Sequence, residues 1–159
     1  MGDVPRRKSI RLQNYDYSRN GAYFVTFCAM HRKCLFGHIV GATALGRPHV
    51  TLTTLGKCID ETIIIANRDD VRMAKYVIMP NHIHMIVTIQ PGTGDRGRSP
   101  LQEIVRNIKS FPTKQIGYSP WQKSVHDHII RNNFEYEKIW RYIDTNPQRW
   151  TEDRYYCET

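Results

Sequence analysis

His82 and His84 stand one residue apart in YVIMPNHIHMIV, residues 76–87, an apolar run that otherwise reads as buried strand. Imidazole nitrogens are common ligands for divalent metals. On an extended strand side chains alternate between faces, so both rings lean the same way, roughly 7 Å apart by strand rise. The same alternation sends Ile83, Met85, Val87 and Ile89 to one face, and His82, His84, Ile86 and Thr88 to the other. One strand can then anchor in a core while presenting paired nitrogens behind it. A histidine pair on the wet face of a half-exposed sheet would have the same spacing, and His126-Asp127-His128 repeats it further along. Spacing alone does not choose between a metal site and a solvated face.

A second constellation lies in KIWRYIDTNPQRW, residues 138–150. Tyr142 and Asn146 are four apart and share one helix face, beside the apolar stripe rather than within it. A phenol there could act as a nucleophile once deprotonated or helped by a metal, and the asparagine carbonyl oxygen could join the metal. The plainer reading is a tyrosine at the rim of the core and an asparagine ending the helix. Phosphate-cradling GxxxxGK[ST], GxGxxG, GxSxG and HExxH are all absent, and Cys34 near His31 is a weak hint of thiol chemistry.

The elements that must position these groups are an alternation of strands and helices. GAYFVTFCAM at 21–30 is a first strand, and HVTLT at 49–53 is a short extended stretch. A helix is expected from Thr54 to Asn67, on the spacing of Leu55, Cys58, Ile59, Thr62 and Ile63. MAKYVIM at 73–79 and the run from His82 to Ile89 form a hairpin around Pro80-Asn81. Ser99, Pro100 and Gln102 open a further helix with Leu101, Ile104, Val105, Ile108 and Phe111 as its buried stripe; Pro112 should kink or end it. WQKSVHDHII at 121–130 reads as the last strand. Asn132 and Glu135 then cap a helix with a stripe of Tyr136, Ile139, Trp140 and Ile143, stopped by Asn146-Pro147. This order predicts an α+β fold, an antiparallel sheet flanked by helices in the ferredoxin-like manner.

The 159 residues suit one domain, and we divide them into a basic arm at 1–20, a domain at 21–150 and a tail at 151–159. No apolar run reaches the roughly 20 residues of a membrane span and no secretory signal precedes the first strand, so a cytoplasmic protein is expected, with Cys28, Cys34, Cys58 and Cys157 as plain thiols. Lys and Arg number 23 against 15 acids, a net charge of +8 that favours a polyanionic partner, although solubility alone would also account for it.

Taken together, RRKSIRLQNYDYSRNGAYFVTFCA, YVIMPNHIHMIV, WQKSVHDHIIRN and YIDTNP, in this order over nearly the whole chain, resemble the REP-associated tyrosine transposases. These are bacterial single-tyrosine members of the HUH nucleases, named for His-hydrophobic-His. The resemblance implies a ferredoxin-like fold of the HUH endonuclease type. It makes His82 and His84 ligands of a divalent metal, Mg²⁺ or Mn²⁺, with Asn146 as a third metal-binding side chain and Tyr142 as the nucleophile. Tyr142 would attack a phosphodiester of single-stranded DNA at a hairpin of the repetitive extragenic type, leaving a 5′-phosphotyrosine link and a free 3′-hydroxyl. His126 and His128 fall outside the implied metal site. Related insertion-sequence transposases carry glutamine where Asn146 stands, and many relatives have glycine where Met85 stands.

Arg6, Arg7, Lys8 and Arg11 of the arm, Arg96 and Arg98 of the loop, and Arg106 and Lys109 of the helix are expected to contact DNA; Tyr15 and Tyr17 could stack on unpaired bases. A monomer and a homodimer both fit the family. A hairpin-binding protein without catalysis is the alternative function, and a ferredoxin-like RNA-binding module is a more distant one.

Overall fold

A computed structural model of the chain describes residues 21–41, 46–90 and 99–158. Four strands, β1 (Gly21–Cys28), β4 (Val71–Ile78), β5 (His82–Ile89) and β6 (His126–Ile130), form one antiparallel sheet in the order β4-β5-β1-β6. The two histidines therefore ride on a central strand. Two short strands, β2 (Gly37–Val40) and β3 (His49–Leu52), pair into a separate ribbon. The sequence gives β3 as extended but no hint of β2, whose GHIV is too short to show a period.

The alternation expected for β5 holds. Ile83, Met85, Val87 and Ile89 join Tyr23, Val25 and Phe27 of β1 in the main core, under helices α1 (Thr54–Ile65) and α2 (Pro100–Ile116). Ile59, Ile63, Leu101, Ile104 and Ile108 supply the helical side of that core. Helix α1 is capped by Thr53, whose hydroxyl accepts from the Gly56 N–H at 3.1 Å and donates to the Leu35 carbonyl at 2.7 Å. Gly56 is required here because a Cβ would fall 2.0 Å from the Phe36 carbonyl oxygen.

Helix α3 (Asn133–Thr145) covers the opposite face, where Ile143 meets Ile86 and Ile130. Asn132 caps it, accepting from the Glu135 N–H at 2.8 Å, as its position predicts. Lys75, on the same face of β4 after a bulge, ties the helix down: its ammonium lies 2.5 Å from Asp144 and 5.0 Å from the centre of the Trp140 ring. A 3₁₀ turn, Asn146–Glu152, continues directly from α3 and carries the chain back across the sheet.

Several expectations need correction. Pro112 does not end α2; it is buried in the fourth turn, and the helix closes at Gly117 in the left-handed conformation, φ +80°. The apolar stripe consequently turns onto Pro112 and leaves Phe111 at the surface. Ser99 precedes α2 without a side-chain cap bond, so the capping box with Gln102 does not form. Trp140 is also out of the stripe of α3, half-exposed against Lys75. Asn146-Pro147 ends the α-helix but not the helical path, since proline is tolerated at the start of the following turn.

Residues 151–158 return to the sheet: Tyr155 is buried and Asp153 packs at the histidines. Cys34 and Cys157, expected as thiols, are joined as a disulfide, because this returning segment lies against the loop before β2. Among the described residues no helix is long and apolar enough to cross a membrane.

Candidate active site

On the face away from the main core, Cys28, Thr26 and Phe24 of β1 stand opposite His82, His84 and Ile86 of β5. The imidazoles of His82 and His84 are 0% and 2% exposed, with ring centres 4.5 Å apart. Burial at this level is costly for a polar ring unless something orients it.

For His82 the orienting group is its neighbour Asn81. The Asn81 amide nitrogen donates to the carbonyls of Tyr155 (2.7 Å) and Arg32 (3.1 Å), which turns its oxygen towards His82 Nδ1 at 2.9 Å. His82 thus gives its proton from Nδ1 and keeps a lone pair on Nε2, the arrangement that supports a metal ligand. That Nε2 is buried without a hydrogen-bond partner. His84 bridges Thr26 Oγ1, 2.8 Å from its Nδ1, and the Tyr142 hydroxyl, 3.2 Å from its Nε2. Burial holds both rings neutral. It lowers His82 to about 4 against the opposing pull of the Asp153 carboxylate, and it lowers His84 well below the ordinary range, since a charge there would also be repelled by a protonated His82 and by Arg154. Neutral imidazoles are the ligating form.

The turn after α3 brings two oxygen donors to the same spot. Asn146, 2% exposed, donates from Nδ2 to Asp153 Oδ2 at 2.8 Å and leaves Oδ1 buried and unpartnered. Asp153 is held in turn by the Tyr155 N–H at 2.8 Å, and its Oδ2 lies 3.8 Å from His82 Nε2. One donor atom from each of His82, His84 and Asp153 falls within 4.8 Å of the others. A nearly buried carboxylate thus stands beside two orphaned lone pairs. This set of two nitrogens and two oxygens fits a divalent ion of the borderline-to-hard kind.

Tyr142, 38% exposed, opens onto a cavity of about 550 Å³ that Thr26, His84, His126, Arg154 and Tyr155 also line. Burial raises its phenol, helped by the negative charge of Asp153, so it stays protonated at neutral pH without assistance. The Arg154 guanidinium, 4.8 Å from the centre of the Tyr155 ring, offers an opposing positive charge at the cavity wall.

The structure brings His82, His84, Tyr142 and Asn146 together. It does not bring Arg106 or Lys109 there: both are on α2, across the sheet, where Arg106 is exposed and the Lys109 ammonium is turned to the carbonyls of Gln122 (2.7 Å) and Lys123 (3.1 Å). Arg6, Arg7, Lys8, Arg11, Tyr15, Tyr17, Arg96 and Arg98 lie outside the described residues. His126 and His128 share the histidine face through their pairing with Thr26 and Phe24, but His128 is engaged with Glu135 at 2.6 Å and neither joins the cluster. Sequence reasoning missed Asp153, Asn81 and Thr26. Asp153, seven residues past Asn146, was detectable only as an acid close behind a candidate ligand.

No family model matches the chain. An uncharacterised protein of Haemophilus influenzae is 32% identical to it, with 98% of this chain and 96% of that one aligned. Among solved structures, a REP-associated tyrosine transposase bound to a REP hairpin superposes over 86% of this chain and 73% of its own, at 26% identity and a TM-score of 0.57. A Deinococcus radiodurans structure assigned to the transposases covers 85% of this chain and 95% of its own, at 13% identity and a TM-score of 0.45, too distant to add to the argument. The α+β fold, an antiparallel sheet flanked by helices, matches that of the REP-associated tyrosine transposase. The likeness supports a transposase-type, DNA-processing enzyme.

Proposed function

We propose that the protein is a metal-dependent single-strand DNA endonuclease and strand transferase acting beside hairpin DNA. The observation that carries this reading is the buried, unpartnered pair His82 Nε2 and Asn146 Oδ1 around Asp153, with the Tyr142 hydroxyl at 3.2 Å from His84. His82, His84, Asp153 and Asn146 would hold Mg²⁺ or Mn²⁺, which when bound supplies the positive charge that polarises a scissile phosphate.

The remaining steps belong to the chain's own residues. Tyr142 attacks phosphorus through its phenolic oxygen, forming a 5′-phosphotyrosine bond as the bond to the 3′-oxygen breaks; the phenolic proton ends on that leaving hydroxyl. One phosphodiester is exchanged for another, so the step reverses without an energy source and permits strand transfer. Asn81 and Thr26 hold the two rings in their ligating orientation. Arg154 presents charge to the cavity where the phosphate enters.

The decisive experiment incubates a labelled DNA hairpin bearing a single-stranded flank with the protein and Mn²⁺, and resolves covalent adducts on a denaturing gel. Wild type should form an adduct that Tyr142→Phe does not. Tight binding with no cleavage in either metal would favour a hairpin-binding regulator, and an adduct persisting in Tyr142→Phe would remove the nucleophile assignment.

A further inference from the structure

Phe134, Lys138 and Tyr142 follow one another at intervals of four on α3, so they stand in file along one helix face. Phe134 is 79% exposed, an expensive position for a large aromatic ring unless a partner covers it. It opens onto a groove of about 630 Å³, roofed and floored by Phe24, Arg131, Phe134, Lys138, Ile139 and Tyr142. Phe24 and Tyr142 line the histidine cavity as well, so groove and cavity meet at the nucleophile.

The charge of the groove matches a polyanion. Arg131 and Lys138 stand on its walls, while the one acid, Glu135, has its oxygens engaged by His128 Nε2 (2.6 Å) and the Arg131 N–H (2.8 Å). An exposed ring between two cations, over an apolar floor, supplies stacking for a base and countercharge for its phosphates. Along the helix, Phe134 lies about 12 Å from Tyr142, a separation spanned by a few nucleotides.

We infer that this groove seats an unpaired nucleotide of the DNA strand, a few positions from the bond presented to Tyr142, with Phe134 as the stacking face and Arg131 and Lys138 as phosphate contacts. The inference rests on the DNA-strand reading above and extends it to the path of the strand. Base stacking of this kind is indifferent to sequence, so it can be probed without the natural target.

The test compares fluorescence-anisotropy binding of an oligothymidylate about a dozen nucleotides long with that of an abasic strand of equal length, in EDTA so that cleavage plays no part. Phe134→Ala should weaken oligothymidylate binding about tenfold and leave the abasic strand unchanged, and Phe134→Trp should restore it. Lys138→Ala should weaken both strands alike and flatten the salt dependence by about one unit of slope. Thermal melts of each variant check that the exposed substitutions leave the fold intact. Equal affinity of Phe134→Ala and wild type for oligothymidylate would overturn the inference, as would an equal loss on both strands. A change in self-association alone would assign the groove to a second copy of the chain and overturn it too. Because binding is read without metal, the result is independent of adduct formation: a protein that never cleaves can still show the stacking difference, and one that cleaves can lack it.

Discussion

The two faces of β5 are buried equally well, and by opposite means. On one side Ile83, Met85 and Val87 meet the helices through apolar surface alone; on the other His82 and His84 meet a turn, a strand and a helix through hydrogen bonds to Asn81, Thr26 and Tyr142. Exposure does not distinguish the faces. Satisfaction does: the first is completed by packing alone, whereas the second retains two lone pairs, on His82 Nε2 and Asn146 Oδ1, without hydrogen-bond partners. A core face is defined by what it excludes, and a site face by what it still lacks.

That contrast can be broken experimentally, beginning with the largest effect. Tyr142→Phe should abolish the DNA adduct on a denaturing gel while changing unfolding free energy by no more than about 1 kcal/mol in urea, since a partly exposed hydroxyl is removed. Ile83→Ala, one position away from either histidine, should do the reverse, costing about 2 to 5 kcal/mol by the same titration while residual folded protein still forms adduct. Mn²⁺ at a hundredfold excess over its Kd should stabilise wild type by about 2.7 kcal/mol in thermal melts, and Asp153→Asn should lose that gain. Thr26→Val, nearly isosteric, should weaken Mn²⁺ binding roughly 10- to 100-fold by calorimetry and leave the fold intact, because His84 loses its orienting partner.

A further test concerns acid. The metal-free protein keeps His82 neutral down to about pH 4, whereas the unfolded chain protonates it near 6.5. The unfolded state therefore binds more protons between those values, and stability should be full above pH 6.5 and decline as the pH falls towards 4. A urea midpoint that stayed flat across this window would show that burial of His82 has no energetic consequence.

Much of the frame was readable from local pattern. The period-two run around Ile83 and Met85 gave both faces of β5, and the Asn132 cap fixed the start of α3 to the residue. Helix period put Tyr142 and Asn146 on one face, and only the resemblance of the sequence blocks gave them candidate roles. What failed were features that no local period encodes. Phe111 and Trp140 fit their stripes by spacing yet were displaced by Pro112 and by Lys75 from another strand. Asp153 was missed because its partners lie about seventy residues upstream, and only the return of the chain after Asn146 reveals them. The Cys34–Cys157 link escaped for the same reason, with 123 residues between its ends.

The return of residues 146–157 across the sheet also fixes an order in time. A ribosome releases both histidines, every strand and the Tyr142 helix before it releases Asp153 and Tyr155. A growing chain thus carries Tyr142 before the acid that completes the surrounding donors exists. The donor set of His82, His84, Asn146 and Asp153 is therefore completed late in synthesis, after the scaffold that holds it.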